Sequence, residues 1–296
     1  MSILNRPADG LLSVLLALRR ALIAYGKQPE EDLLGLIAPS SVVTDGKPDM
    51  ARKTLTRWKQ LAFFSDVDGV IALSEPIARI DTDDLDGLRV AVLRLILAPE
   101  NSATVLGEDC DDGEGSRAAD CTRALAWALI QDPYAFPSTY KTGEALQDKQ
   151  GVKPKIFIND TRWNGFAEWA VFLGIAWSAL QNLVPSPAFA IRKMLNDVFL
   201  GAGELPQSEF FLRLAGVLPI VDGGNYRKAV EAQMSRPWRK EIPAEVSPSL
   251  SAALLTLEAE GTLRLETRSD APSRMLLGAA GRELRLISHV VKPGVV

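Results

Sequence analysis

The stretch KTLTRWKQLAFFSDVDGVIALS, Lys53 to Ser74, decides the fold of the N-terminal part of this chain. A basic helical run ends in two phenylalanines, an Asp-x-Asp-Gly turn follows, and a short β-branched run closes it. The predicted helix, from about Asp49 to Ala62, has an apolar face of Ala51, Leu55, Trp58, Leu61 and Ala62. Asp68-Gly69 is a strong hairpin signal, because a tight two-residue turn needs positive φ at both positions. Upstream, leucine, valine and alanine recur at three and four from Leu11 to Ala24, and Gly26 ends that run. Pro29 opens a second short helix through Ile37. Three helices followed by a hairpin predict a winged helix-turn-helix over 1–80, with the Lys53 helix presented to a partner and the hairpin as its wing.

The next segment, 81–205, reads as a central helical domain. Its first part is acidic: eleven carboxylates from Asp81 to Asp120 face only Arg89, Arg94 and Arg117. Helices are expected over Asp84–Ala98, over RAADCTRALAWALIQDP up to Asp132-Pro133, and over a long run from Arg162 to Leu183. Ser186-Pro187 starts another, which Gly201 ends. In 206–296 the order repeats: helices over Ser208–Val217, Asn225–Met234 and Pro248–Glu260, then TLRLETR and RMLLG around SDAPS as strand, turn and strand. The expected fold class is therefore mainly α with small β-hairpin wings, as two winged helix-turn-helix modules flanking a central helical domain.

On the first presented helix, the side away from Leu55 and Trp58 carries Lys53, Thr56, Arg57 and Gln60, with Arg52 and Lys59 on its flank. Lys and Arg suit phosphates, and Arg and Gln suit base edges, so this face is the candidate DNA contact. Against it stand Asp66 and Asp68 of the wing and a modest balance of nine basic to six acidic residues over 1–64. The chain as a whole has a net charge of −4, so it can meet nucleic acid only through a local basic face. A second basic patch, Arg227, Lys228, Arg236, Arg239 and Lys240 around Tyr226 and Trp238, has the interleaving that can hold a nucleic-acid strand, but reads rather as surface cations beside half-buried rings. The second presented helix shows Ala252, Leu255, Thr256 and Ala259 opposite its core stripe. With no cation there, it reads as a protein-contact face.

Chemistry-bearing motifs are absent from the sequence. There is no phosphate loop, no dinucleotide-binding glycine pattern and no nucleophile elbow. Two cysteines, Cys110 and Cys121, and one histidine, His289, are too few for a tetrahedral zinc site. The acidic loop Glu108–Glu114 fails the calcium-loop spacing. Glu144, Asp148 and Lys149 match no metal-nuclease arrangement and read as a surface helix. The expectation is a non-enzyme with no metal and no cofactor. The longest apolar stretch, Trp169 to Leu180, is too short to span a bilayer. An N-terminal run interrupted by Arg19 and Arg20 does not read as a signal peptide, so a cytoplasmic protein is expected.

Three features, MSILNRPADGLLSVLLALRRAL at the start, TRALAWALIQDP in the middle and the two-module layout, together resemble the DpdG family over most of the chain. The resemblance implies an accessory role in a bacterial defence system that places 7-deazaguanine derivatives in DNA and restricts DNA lacking them. It implies partners that are helicase- or nuclease-like, and it brings no catalytic residues. A scaffold whose basic helix meets an acidic protein surface, and an unrecognised carboxylate nuclease, are the alternatives.

Overall fold

The structure, a computed structural model, describes residues 3–4, 10–38, 50–106, 117–179, 182–239 and 242–294. The acidic loop at Glu108–Glu114, Cys110 and Lys240 lie outside the described residues. The chain divides into two compact units, Met1–Thr122 with Asn159–Trp169, and Arg123–Ile158 with Ala170–Val296. The segment read from sequence as central, 81–205, is thus shared between the two. Both units are mainly helical with small sheets, and no helix among the described residues is long and apolar enough to cross a membrane.

The first unit begins with α1 (Leu12–Tyr25), β1 (Gln28–Pro29), α2 (Glu30–Ile37), α3 (Met50–Gln60), β2 (Phe64–Val67) and β3 (Val70–Leu73). The expected hairpin is present, with Val67 opposite Val70 and both turn residues, Asp68 and Gly69, at positive φ. The two-residue strand β1 adds to it: Gln28 pairs Ile71 and Pro29 pairs Val70, giving the spatial order β1-β3-β2. Proline donates no hydrogen bond, so Pro29 sits well on an outer strand. Leu15, Leu18, Leu33, Leu55, Trp58 and Ile71 are buried together as the core beneath this sheet. A one-turn helix α4 (Glu75–Ala78) leads to α5 (Leu85–Leu97), whose N-terminus is capped by the Asp84 carboxylate accepting the Gly87 N–H at 2.8 Å. Then come α6 (Pro99–Ser102) and α7 (Ala119–Ile130), which belongs to the second unit from Arg123 onward.

The second unit holds α8 (Tyr140–Gln150), and α9 (Asp160–Phe172) runs into it from the first. The expectation of one helix from Arg162 to Leu183 is corrected here. α9 stops at Phe172, and β4 (Ala176–Ala179) and β5 (Asn182–Pro185) form a hairpin. The stop is Gly174 at φ +69, where a Cβ would lie 2.1 Å from the Phe189 ring. Only glycine fits both the backbone and that contact.

From there the first unit's order of elements returns. α10 (Ala188–Phe199), β6 (Glu204–Pro206) and α11 (Gln207–Val217) are followed by α12 (Asn225–Ala232), β7 (Glu245–Val246), α13 (Pro248–Ala259) and β8 (Arg264–Glu266). The chain then runs through β9 (Arg274–Leu277) and β10 (Glu283–Ile287) to β11 (His289–Val291). Strand β11 pairs with both β6 and β8, in the order β6-β11-β8. Taking α10, β6, α11, α13, β8 and β11 as counterparts of α1, β1, α2, α3, β2 and β3, the two halves share one topology. Their junctions agree in detail. Pro29 (φ −54, ψ 145) and Pro206 (φ −56, ψ 146) enter the second helix alike, and Ala38 (φ −132, ψ 76) and Leu218 (φ −128, ψ 78) leave it alike. After the third helix, Ala62 and Gly261 both turn left-handed, and the next N–H returns to Trp58 O at 2.9 Å or Leu257 O at 2.8 Å.

This corrects the expected C-terminal arrangement in two respects. The first helix of the second copy is α10, not Ser208–Val217. The expected hairpin between TLRLETR and RMLLG does not form, because β8 takes β11 as its partner. Strand β9 pairs instead with β10 and, in parallel, with β7. A sequence reading that pairs neighbouring strands cannot anticipate a partner more than twenty residues further on.

Candidate functional site

Helix α3 is held at both ends. Ala51, Leu55 and Trp58 form its buried stripe, as expected, and Thr54 and Arg57 are buried beside it. Arg57 is therefore a correction: expected in water, its side chain is only 2% exposed. It lies three residues beyond Thr54, on a second row that also packs inward, and its guanidinium donates to Gln60 Oε1 at 2.6 Å.

The flanking cations are engaged as well. Arg52 bridges Glu30 at 3.0 Å and Glu31 at 2.7 Å. Lys59 bridges Glu30 at 2.7 Å and Asp66 at 2.9 Å. Partial burial pulls the Lys59 ammonium down, but the hydrogen bonds to Glu30 and Asp66 outweigh it and hold the group above its ordinary value. The bond from Lys59 holds Asp66 below the usual carboxylate range, and the bond from Arg52 does the same for Glu31. Depressed carboxylates stabilise the fold above their ordinary pKa, and this contribution is lost as pH falls through the lower folded value. Of the six residues proposed for DNA, Lys53 and Thr56 are half-buried and Gln60 is exposed on the solvent side. Lys53 makes no ion pair with the described residues.

The second basic patch is split by the structure. Arg227 is an interior group, 4% exposed, paired with Asp222 at 2.7 Å and Glu231 at 2.9 Å and donating to the Leu129 carbonyl at 3.2 Å. This corrects the expectation of a surface cation: nothing in its local spacing reveals that α12 buries Tyr226, Arg227 and Val230 together. Arg239 is bound to Glu245 at 2.6 Å, whereas Lys228 and Arg236 are exposed. On α13, Thr256 and Ala259 are exposed and Ala252 and Leu255 half-buried, with Leu250, Ala253, Leu254 and Leu257 in the core. Glu144 and Asp148 both meet Lys155, at 3.4 and 2.8 Å. No group of three or more potential metal ligands occurs among the described residues.

Sequence reasoning missed a groove of about 490 Å³ lined by Phe211, Leu212 and Ala215 of α11, Lys228 of α12, Pro243 and Arg274. A signal was present. SEFFLRLAGV carries more apolar residues than one inward face can absorb, and Leu212 is the one left outside, 74% exposed.

A family model described as DpdG-like matches residues 1–271. No curated protein and no solved structure matches the chain.

Proposed function

Since the chain belongs to the DpdG-like family, we propose that it is a non-catalytic accessory subunit of the Dpd system, the apparatus that places 7-deazaguanine derivatives in DNA and restricts DNA lacking them. In this reading both repeats are winged helices, with α3 and α13 as the presented helices, and the subunit works chiefly by docking helicase- or nuclease-like proteins. The observation that carries the docking reading is the neutralisation of α3: Arg57 is packed away and Arg52 and Lys59 face Glu30, Glu31 and Asp66. Phosphates approaching that helix would meet those carboxylates first, and Asp68 stands at the wing tip. The non-catalytic reading is supported by Glu144 and Asp148, the carboxylates weighed for a nuclease, which are both turned to Lys155.

A second reading keeps DNA contact through α3, favoured by Lys53, Thr56 and Gln60 on its solvent side. The Arg52–Glu31 pair is exposed, and such pairs are worth only about 0–1 kcal/mol, so Arg52 could exchange that carboxylate for a phosphate. Salt dependence separates the two. On the docking reading, duplex DNA binds weakly, its affinity falls with a logarithmic salt slope of about one or less, and Lys53→Glu changes little. Glu30→Gln combined with Asp66→Asn releases Lys59 and should raise DNA affinity severalfold. A slope equivalent to several phosphates, abolished by Lys53→Glu with Lys59→Glu, would establish the DNA reading instead. Co-expression with the other Dpd proteins should give a complex that survives nuclease treatment. A chain that purifies alone after such treatment ends the docking reading.

A further inference from the structure

We propose that the groove on the second repeat, between α11, α12 and Arg274, receives a segment of a partner protein carrying an aliphatic anchor flanked by carboxylates. This rests on the docking reading above and names the partner's chemistry. The groove is apolar along one side, where Leu212, Ala215 and Pro243 leave aliphatic carbon open to water. Its volume of about 490 Å³ is within the range that accommodates a ligand of several side chains. A leucine exposed to 74% in the middle of a well-packed helix is the kind of residue an interface covers.

The charge of the groove is positive and uncompensated. Lys228 is exposed, and neither it nor Arg274 makes an ion pair with the described residues. The Arg274 guanidinium lies over the Phe211 ring, 4.8 Å from its centre. The one carboxylate in the lining, Asp222, is 3% exposed and already engaged by Arg227 at 2.7 Å, the Ser247 N–H at 2.7 Å and the Ser247 hydroxyl at 2.6 Å. It offers nothing to cancel the two cations. Charge complementarity therefore selects an acidic occupant, and the aliphatic wall selects one with a branched apolar side chain.

Nucleic acid fits less well. Strand binding without sequence preference relies on aromatic faces that bases can cover. Among the lining residues Phe211 is the aromatic, and it is 3% exposed beneath Arg274. The first repeat supplies an internal comparison. Counting from the equivalent prolines, Pro29 and Pro206, the positions of Ser208, Glu209 and Leu212 hold Glu31, Asp32 and Gly35. At the place of the leucine anchor the first repeat has glycine, and its Glu31 is already paired with Arg52 at 2.7 Å, so the first repeat offers no equivalent of this groove.

The test uses the full chain and a fluorescent peptide in which a single leucine is flanked by glutamates, read by polarisation. The same peptide with lysines, and a single-stranded oligothymidine of equal charge, serve as competitors. The glutamate peptide should bind, and Leu212→Asp and Lys228→Glu should each weaken it about tenfold or more. Both positions are exposed, so neither variant should disturb the fold. Failure of the glutamate peptide to bind overturns the proposal. So does oligothymidine binding equally well and indifferently to Leu212→Asp, which would mark a nucleic-acid site. If the peptide fails while the Dpd proteins still co-purify with the chain, only the groove assignment falls. If the chain co-purifies with none of them, the docking reading beneath it falls too.

Discussion

Replacing Asp120 with alanine is expected to destabilise the first unit by about 3–5 kcal/mol, because it breaks a buried ion pair and removes the acceptor of three backbone N–H groups. Asp120 and Arg162 are each 1% exposed, and the guanidinium approaches the carboxylate to 3.9 Å. The same carboxylate accepts the N–H groups of Ile3 at 3.2 Å, Leu4 at 2.6 Å and Cys121 at 2.8 Å. The substitution thus removes a counter-charge and the partner of three backbone N–H groups at once, in a buried place. Asp120→Asn keeps an acceptor oxygen and should cost less, while still leaving Arg162 charged. Cys121 supplies a direct readout. It is fully buried, and burial first, then the neighbouring Asp120, push its thiol well above the usual range. A neutral buried thiol is inert to alkylation. In a Cys110→Ser background, Cys121 should label slowly in the parent protein and rapidly in Asp120→Ala at urea concentrations the parent withstands. An unchanged urea midpoint together with unchanged labelling would show that Arg162 does not depend on this carboxylate.

Trp58→Ala should be nearly as damaging, at about 3–5 kcal/mol. The ring is 0% exposed, meets Phe63 edge-on at 5.5 Å and lies tilted against Trp169 at 5.3 Å. Its carbonyl also receives the Phe63 N–H that closes the end of α3, so a cavity here loosens the turn leading into β2. Trp58→Phe makes a sharper test of the cause. The indole N–H is buried without a hydrogen-bond partner among the described residues, so phenylalanine gives up area but also sheds an unsatisfied donor. It should stay within about 1.5 kcal/mol of the parent in urea unfolding. Equal losses for the two substitutions would mean that ring shape at this position, rather than apolar volume, holds the helix.

How far the sequence reveals this molecule depends on the range over which each feature is decided. Helix α1, the end of α3 and the Asp68-Gly69 hairpin are set by neighbours within a few residues, and spacing alone finds them. The strand β1 consists of two residues with no alternation to detect, and it exists only because Ile71 and Val70 lie opposite. The run after Phe172 is apolar whether it coils or extends, and it is Gly174 against Phe189, fifteen residues on, that decides. At the candidate interface the composition of α3 was legible, but its exposure was not. Glu30 lies 22 residues from Arg52 and 29 from Lys59 and meets them only once folded, while Asp66, seven residues from Lys59, reaches it across the turn into β2. The family resemblance was legible from the sequence and agrees with the family match over residues 1–271.

The additional strands of the second repeat carry an engineering consequence. β7 belongs to the stretch separating α11 from α13, and β9 and β10 belong to the stretch separating β8 from β11. Two detours at different points of the chain have knitted into one small sheet, β10-β9-β7. Neither can be shortened alone, since excising one leaves the other with a raw backbone edge. Anyone trimming this repeat to a minimal domain would have to cut both together, and a natural relative that lacks one should lack its companion.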